Sequence, residues 1–114
     1  ADVVMENMRP GVADRLGVGE ATLRELNPRL IYCSTTAFGS TGPYVDRPGF
    51  DPVLQGMAGI MALQGFGGPP QYLRIAVVDY YAAALTAQAV LAALFVRERT
   101  GNRSLIVFDS GDDH

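Results

Sequence analysis

Asp79 is the only carboxylate in the stretch of apolar and small residues that runs from Ile75 to Val96, between Arg74 and Arg97. A carboxylate carried by folding toward an apolar helix must be solvated by something. Two uses suit such a group. At a helix N-terminus it caps backbone N–H groups, a contribution of about 0.5–2 kcal/mol. In the same place, anchored and poorly hydrated, it can attack an acyl carbon and form a covalent acyl intermediate. The residues alone leave both open, and capping is the commoner use of such a position. Ile75–Val78 and Tyr80-Tyr81 are the candidate walls that would keep water from it.

Further candidates carry weaker patterns. Arg9 follows a predicted strand end and Arg15 comes shortly after it. Guanidinium forks at the carboxyl edge of a parallel sheet suit phosphate, although two solvated charges fit the pattern as well. Gly39-Ser40-Thr41-Gly42-Pro43 reads either as a surface turn or as backbone N–H groups aimed at an anionic ligand. The Gly67-Gly68-Pro69-Pro70 segment has the same ambiguity and lacks the spacing of a dinucleotide fingerprint.

Composition narrows the chemistry. All nine basic residues are arginines, so a Schiff-base or P-loop lysine is excluded within these 114 residues. Cys33 is the only cysteine and His114 the only histidine. A disulfide framework, a zinc site and a Ser-His or Cys-His pair cannot be assembled from them. No metal is expected, and a reducing, cytoplasmic setting is the plain reading. Net charge is −3 without a basic run, which argues against nucleic acid. Tyr80–Val96 is shorter than the roughly 20 apolar residues a bilayer requires and contains Thr86 and Gln88. A buried helix, apolar all round, fits it better than a membrane span.

The elements that must position these groups follow from periodicity and punctuation. Asp2–Glu6 and Arg29–Ala37 read as strands, with short helices over Val12–Leu16 and Glu20–Leu26 between them. Strands separated by helices point to a parallel α/β layer. Phe38–Phe50 is a Gly- and Pro-rich loop. Asp51–Leu63 reads as one helix, with Asp51 as its N-cap and Pro52 in its first position. Gln64–Gln71 is a second loop, and Val78–Thr100 the longest helix, ended by Gly101. Ser104–Phe108 is the last strand, and residues 110–114 form a polar tail. Ala1-Asp2-Val3-Val4 has no initiator Met or signal pattern and reads as a strand start, as if the chain began inside a larger protein.

Five segments occur in one order: Glu6-Asn7-Met8-Arg9-Pro10-Gly11, Leu26–Cys33, Phe38–Tyr44, Arg47-Pro48-Gly49-Phe50-Asp51 and Val78-Asp79. From Ala1 to about Asp109 the chain resembles the family III CoA-transferases, the group that includes formyl-CoA transferase and L-carnitine CoA-transferase. The resemblance implies a Rossmann-like, parallel-sheet CoA-binding domain, of which residues 1–109 would be the central part. It implies acyl-CoA and carboxylic acid substrates, with Asp79 as nucleophile through an aspartyl anhydride and an aspartyl-CoA thioester. Asn7, Met8, Arg9 and Arg15 would line the CoA site, with Met8 where the family usually has Phe; Gly39 and Gly42 would lie near the thioester. It also implies an interlocked homodimer, with an N-terminal region and a later glycine-rich loop outside this sequence, so that the isolated chain would turn over weakly or not at all. Two alternatives stand beside this reading: a non-catalytic CoA-binding module, which would bind CoA without a covalent adduct at Asp79, and α-methylacyl-CoA racemase, a relative with another reaction whose proton-abstracting histidine sits in a Gly-His-Asp segment. Here that segment is Gly49-Phe50-Asp51, and Phe50 cannot take a proton.

Overall fold

The computed structural model describes residues 1–101 and 105–109. Its elements are β1 (Val3–Glu6), α1 (Val12–Arg15), α2 (Glu20–Leu26), β2 (Ile31–Thr36), α3 (Asp51–Met57), α4 (Ile60–Gln64), α5 (Val77–Thr100) and β3 (Leu105–Asp109). The three strands form one parallel sheet in the order β1-β2-β3. Val3 pairs with Ile31 and Glu6 with Ser34, while on the other side Tyr32 pairs with Leu105 and Thr36 with Asp109. Parallel neighbours need long crossovers, supplied by α1 and α2 in the first connection and by α3 to α5 in the second. All three strands therefore end on the same edge. The mixed α/β class expected from the sequence is the one observed.

The central strand carries the core. Ile31, Tyr32 and Cys33 are buried, as an apolar run in a covered parallel sheet must be. The Tyr32 hydroxyl donates to the Val18 carbonyl at 3.2 Å, tying the strand to the α1–α2 connection. Burial pushes the Tyr32 phenol and the Cys33 thiol upward, with nearby Glu6 adding to both and a Thr35 hydrogen bond opposing the shift at Cys33.

At the opposite edge from the strand ends, Asn27 does structural work. Its Nδ2 donates to the Ala1 carbonyl at 2.8 Å, and its Oδ1 accepts the Arg29 N–H at 3.0 Å. Arg97, buried on α5, donates to the carbonyls of Asp2 and Arg29 and pairs with the Asp2 carboxylate at 2.9 Å. These bonds moor the end of α5 to the start of β1 and β2.

Three expectations are corrected. The helix expected over Asp51–Leu63 is broken into α3 and α4 at Ala58-Gly59, because Gly59 adopts φ 75°, a left-handed conformation that ends a helix. Asp51 is the first residue of α3, whose N-cap position is taken by Phe50, and its carboxylate serves another helix. Finally, α5 is not buried all round. It packs on β2, β3 and α3 through a face that includes Ala82, Thr86, Ala93 and Arg97, while Tyr80, Tyr81, Leu91 and Phe95 are exposed. By length and composition alone α5 could cross a membrane, but here it is the covering helix of a sheet. Ser104, expected to open the last strand, and the tail at 110–114 lie outside the described residues.

Candidate active site

The carboxyl ends of β1 and β2 open into a cleft of about 1190 Å³, walled by α5 and by the loop that leads into α3. This is the edge at which parallel α/β sheets present ligand-binding loops. β1 runs into Asn7-Met8-Arg9-Pro10, all of which line the cleft. Their turn is shaped locally, because the Glu6 Oε2 accepts the Met8 N–H at 2.7 Å. The end of β2 adds Thr35, Thr36, Phe38 and Gly39. Gly39 is buried and has φ 74°, so the chain turns away from the sheet at a residue without a Cβ.

Loop 38–50 is irregular but pinned. The Phe38 and Tyr44 rings meet at 5.7 Å, and the Arg47 guanidinium lies 4.6 Å above the Tyr44 ring. At Gly49 the loop passes directly against the end of β2, where any Cβ would overlap that of Ala37. That close approach sets Phe50 and Asp51 in the cleft wall.

The opposite wall is α5. Asp79, Ala82, Ala83, Thr86, Ala87 and Val90 line it, a stripe at helical spacing whose small side chains leave room. Asp79 is the third residue of α5 and stands in its first turn. The helix has no capping side chain of its own, since Ala76 holds the N-cap position. The cap comes from 28 residues away: Asp51 Oδ2 accepts the N–H groups of Val78 at 2.7 Å and of Asp79 at 3.1 Å. Among the described residues the Asp79 carboxylate has no hydrogen-bond or ion-pair partner, and it is exposed. The two uses open to Asp79 in the sequence are thus divided between two residues. Asp51 caps and Asp79 is left free. The expected walls do not close over it, for Ile75, Tyr80 and Tyr81 are all more than half exposed.

Behind Asp51 sits Gln55, fully buried. Its Nε2 donates to Asp51 Oδ1 and toward the carbonyls of Leu73 and Ile75, and its Oε1 accepts the Leu73 N–H at 2.8 Å. The segment leading into α5 is therefore held by two side chains of α3.

Residues 1–109 match the family described as CoA-transferase family III. The chain belongs to that family. It is 45% identical over 103 residues to an acetyl-CoA:oxalate CoA-transferase of Acetobacter aceti, covering 89% of this chain and 26% of that protein. A probable fatty acyl-CoA transferase of Mycobacterium tuberculosis, Rv3272, is 46% identical over 102 residues, with 89% and 26% covered. The crystal structure of a CAIB/BAIF family protein from Brucella suis superposes with a TM-score of 0.88 at 44% identity, over 93% of this chain and 28% of that one. The chain spans about a quarter of the length of the curated relatives it matches.

In this family III chain the cleft gathers five of the seven residues expected from the sequence: Asp79, Asn7, Met8, Arg9 and Gly39. Arg15 and Gly42 are exposed and stand outside its lining. The Arg15 guanidinium instead lies near Gly11, a residue of the turn closed by the Val12 N–H on the Arg9 carbonyl. Sequence reasoning did not single out Arg47, Asp51 or Gln55 as site residues. A sequence signal existed only for the first two, in the ordered Arg47–Asp51 segment. Gln55 had none beyond its position one turn after Asp51, the i,i+4 spacing at which helix side chains meet.

Proposed function

We propose that the protein carrying this chain moves CoA from an acyl-CoA donor to a carboxylic acid acceptor, with Asp79 as the nucleophile. The observation that carries this reading is the free, exposed Asp79 carboxylate on a helix capped by another residue, facing a cleft shared with Asn7, Met8 and Arg9. An Asp79 oxygen attacks the acyl carbonyl, the C–S bond breaks, and CoA leaves as its thiolate, giving a mixed anhydride. The thiolate attacks the Asp79 carbonyl and releases the donor acid, leaving an aspartyl-CoA thioester. The acceptor carboxylate then attacks that thioester and expels the CoA thiolate, giving a second anhydride, and the thiolate attacks its acceptor carbonyl, forming the acceptor-CoA thioester and releasing the Asp79 carboxylate. Every step exchanges one acyl bond for another, and no proton is needed.

The role of the chain's other residues follows from place and type. Arg9 presents a guanidinium suited to a CoA phosphate, Met8 an adaptable apolar surface for adenine, and Gly39 a backbone that can approach the thioester closely. Water must be kept from an anhydride. With Asp79 exposed in this domain, the covering surface belongs to the rest of the proposed full-length protein, an interlocked cytoplasmic homodimer. The racemase chemistry is disfavoured by Phe50, which lines the same cleft with a ring that cannot carry a proton.

Intact-mass and peptide analysis of the full-length enzyme incubated with acyl-CoAs tests the proposal. The expected result is a CoA adduct on the peptide bearing Asp79, lost together with turnover in Asp79→Ala and Asp79→Asn. Wild-type turnover in folded Asp79→Ala refutes it. So does α-carbon deuterium exchange of a 2-methylacyl-CoA without an acceptor acid.

A further inference from the structure

We infer that Asp51 is a positioning residue for the nucleophile, acting through the backbone of α5, with Gln55 as its support. The inference rests on the reading of Asp79 as nucleophile. Asp51 is buried, with 5% of its surface accessible, whereas Asp79 is exposed, and the Asp51 oxygens are divided by task. Oδ2 takes the N–H groups of Val78 and of Asp79 itself, while Oδ1 takes the Gln55 amide. The bond to the Asp79 N–H at 3.1 Å fixes the peptide plane from which the nucleophilic side chain departs. Fixing that plane narrows the directions the Asp79 carboxylate can take, which is the geometric requirement for attack on a bound carbonyl.

The arrangement has no slack. Asp79 sits on the first turn of a helix whose own N-cap residue, Ala76, offers no acceptor. Without Asp51 the first turn of α5 has unpaired N–H groups and frays. Asp51 in turn cannot rotate away, because Gln55 is fully buried and held at its far end by the Leu73 N–H at 2.8 Å. The chain of contacts runs from Leu73 through Gln55 and Asp51 to the amide of Asp79.

The experiment uses the full-length enzyme in Asp51→Ala, Asp51→Asn and Asp51→Ser forms. The rate constant for forming the CoA adduct at Asp79 is measured by quenched mass spectrometry per folded enzyme, alongside kcat and KM for the acyl-CoA. Asn keeps an acceptor at the same reach, Ser keeps one set back toward the backbone, and Ala keeps none. The expected adduct rates fall in the order wild type, Asn, Ser, Ala, with at least a tenfold loss in Ala and KM within about threefold throughout. A purely structural role would lower the fraction folded and leave the rate per folded enzyme unchanged, and that result overturns the inference. A raised KM at constant kcat would assign Asp51 to substrate binding and overturn it equally. If the Ala form does not fold, the comparison passes to Asn and Ser, where equal rates overturn it. Failure of the wild type to form an adduct at Asp79 is a separate outcome and defeats the underlying reading instead.

Discussion

Replacing Gln55 tests the support of the nucleophile's helix without touching the cleft-lining carboxylates. Gln55→Leu conserves volume, so no sizeable cavity is added. It removes the donor to Asp51 Oδ1, the acceptor of the Leu73 N–H at 2.8 Å, and one amide hydrogen shared between the Leu73 and Ile75 carbonyls at 3.2 and 3.3 Å. An orphaned N–H costs about 1–3 kcal/mol and a lost bond to a carboxylate about 1.5–3 kcal/mol. Leu73 is half-buried and Ile75 exposed, so their carbonyls rehydrate at little cost. A local destabilisation of about 3 kcal/mol follows, close to a hundredfold in an opening equilibrium. Amide hydrogen exchange of the peptide covering residues 73–79 in the full-length protein reads that opening directly. The Leu73, Val78 and Asp79 amides should exchange about a hundredfold faster in the variant. Gln55→Glu should do no better, since it keeps the acceptor for Leu73 but turns an oxygen toward Asp51. Exchange within threefold of wild type at all three amides would refute the reasoning.

Two further predictions concern the frame around the site. Gly49→Ala places a Cβ against that of Ala37, with the Ala37 Cα at 3.4 Å behind it. Backbone on both sides must move, so a loss of about 1–3 kcal/mol is expected, and an unchanged thermal midpoint would contradict it. Tyr32 and Cys33 are both raised above their ordinary values of 10.0 and 9.0. A raised folded-state value means that the folded protein holds the proton more tightly than the unfolded chain. The contribution is therefore fully present below the unfolded values and is lost as pH rises through the folded ones. Denaturation midpoints should fall from about pH 9 upward, and Cys33→Ala should remove the part that begins earliest. A flat midpoint across that range would oppose the assignment.

What the sequence disclosed depended on how local the cause was. β1, β2 and α2 were legible because their patterns and stops lie within the elements, as in Asn27-Pro28 closing α2. Asp79 was legible as a charge in an apolar run, and the cluster Asn7-Met8-Arg9 as a turn after a strand. The break between α3 and α4 was not, since an apolar run with good helix formers masks the left-handed Gly59. The exposed flank of α5 was not legible either. An apolar sequence says which residues gain from burial, but the neighbours present decide which are covered.

The misassigned role of Asp51 is the informative case. Its position before Pro52 and an apolar run fits an N-cap, and local rules end there. Its oxygens instead satisfy a helix that starts 26 residues later, which no local pattern encodes. This link gives the order of the motifs a mechanical sense. The Phe38–Tyr44–Arg47 contacts and the tight passage at Gly49 fix the loop, and the loop delivers Asp51. Asp51 then closes the first turn of α5 at the amide of Asp79. A carboxylate that capped its own helix would have its oxygens occupied by N–H groups, which withdraw the electron density a nucleophile needs. Borrowing the cap from α3 leaves the Asp79 oxygens free while its backbone stays fixed, so anchoring and reactivity need not compete for the same atoms.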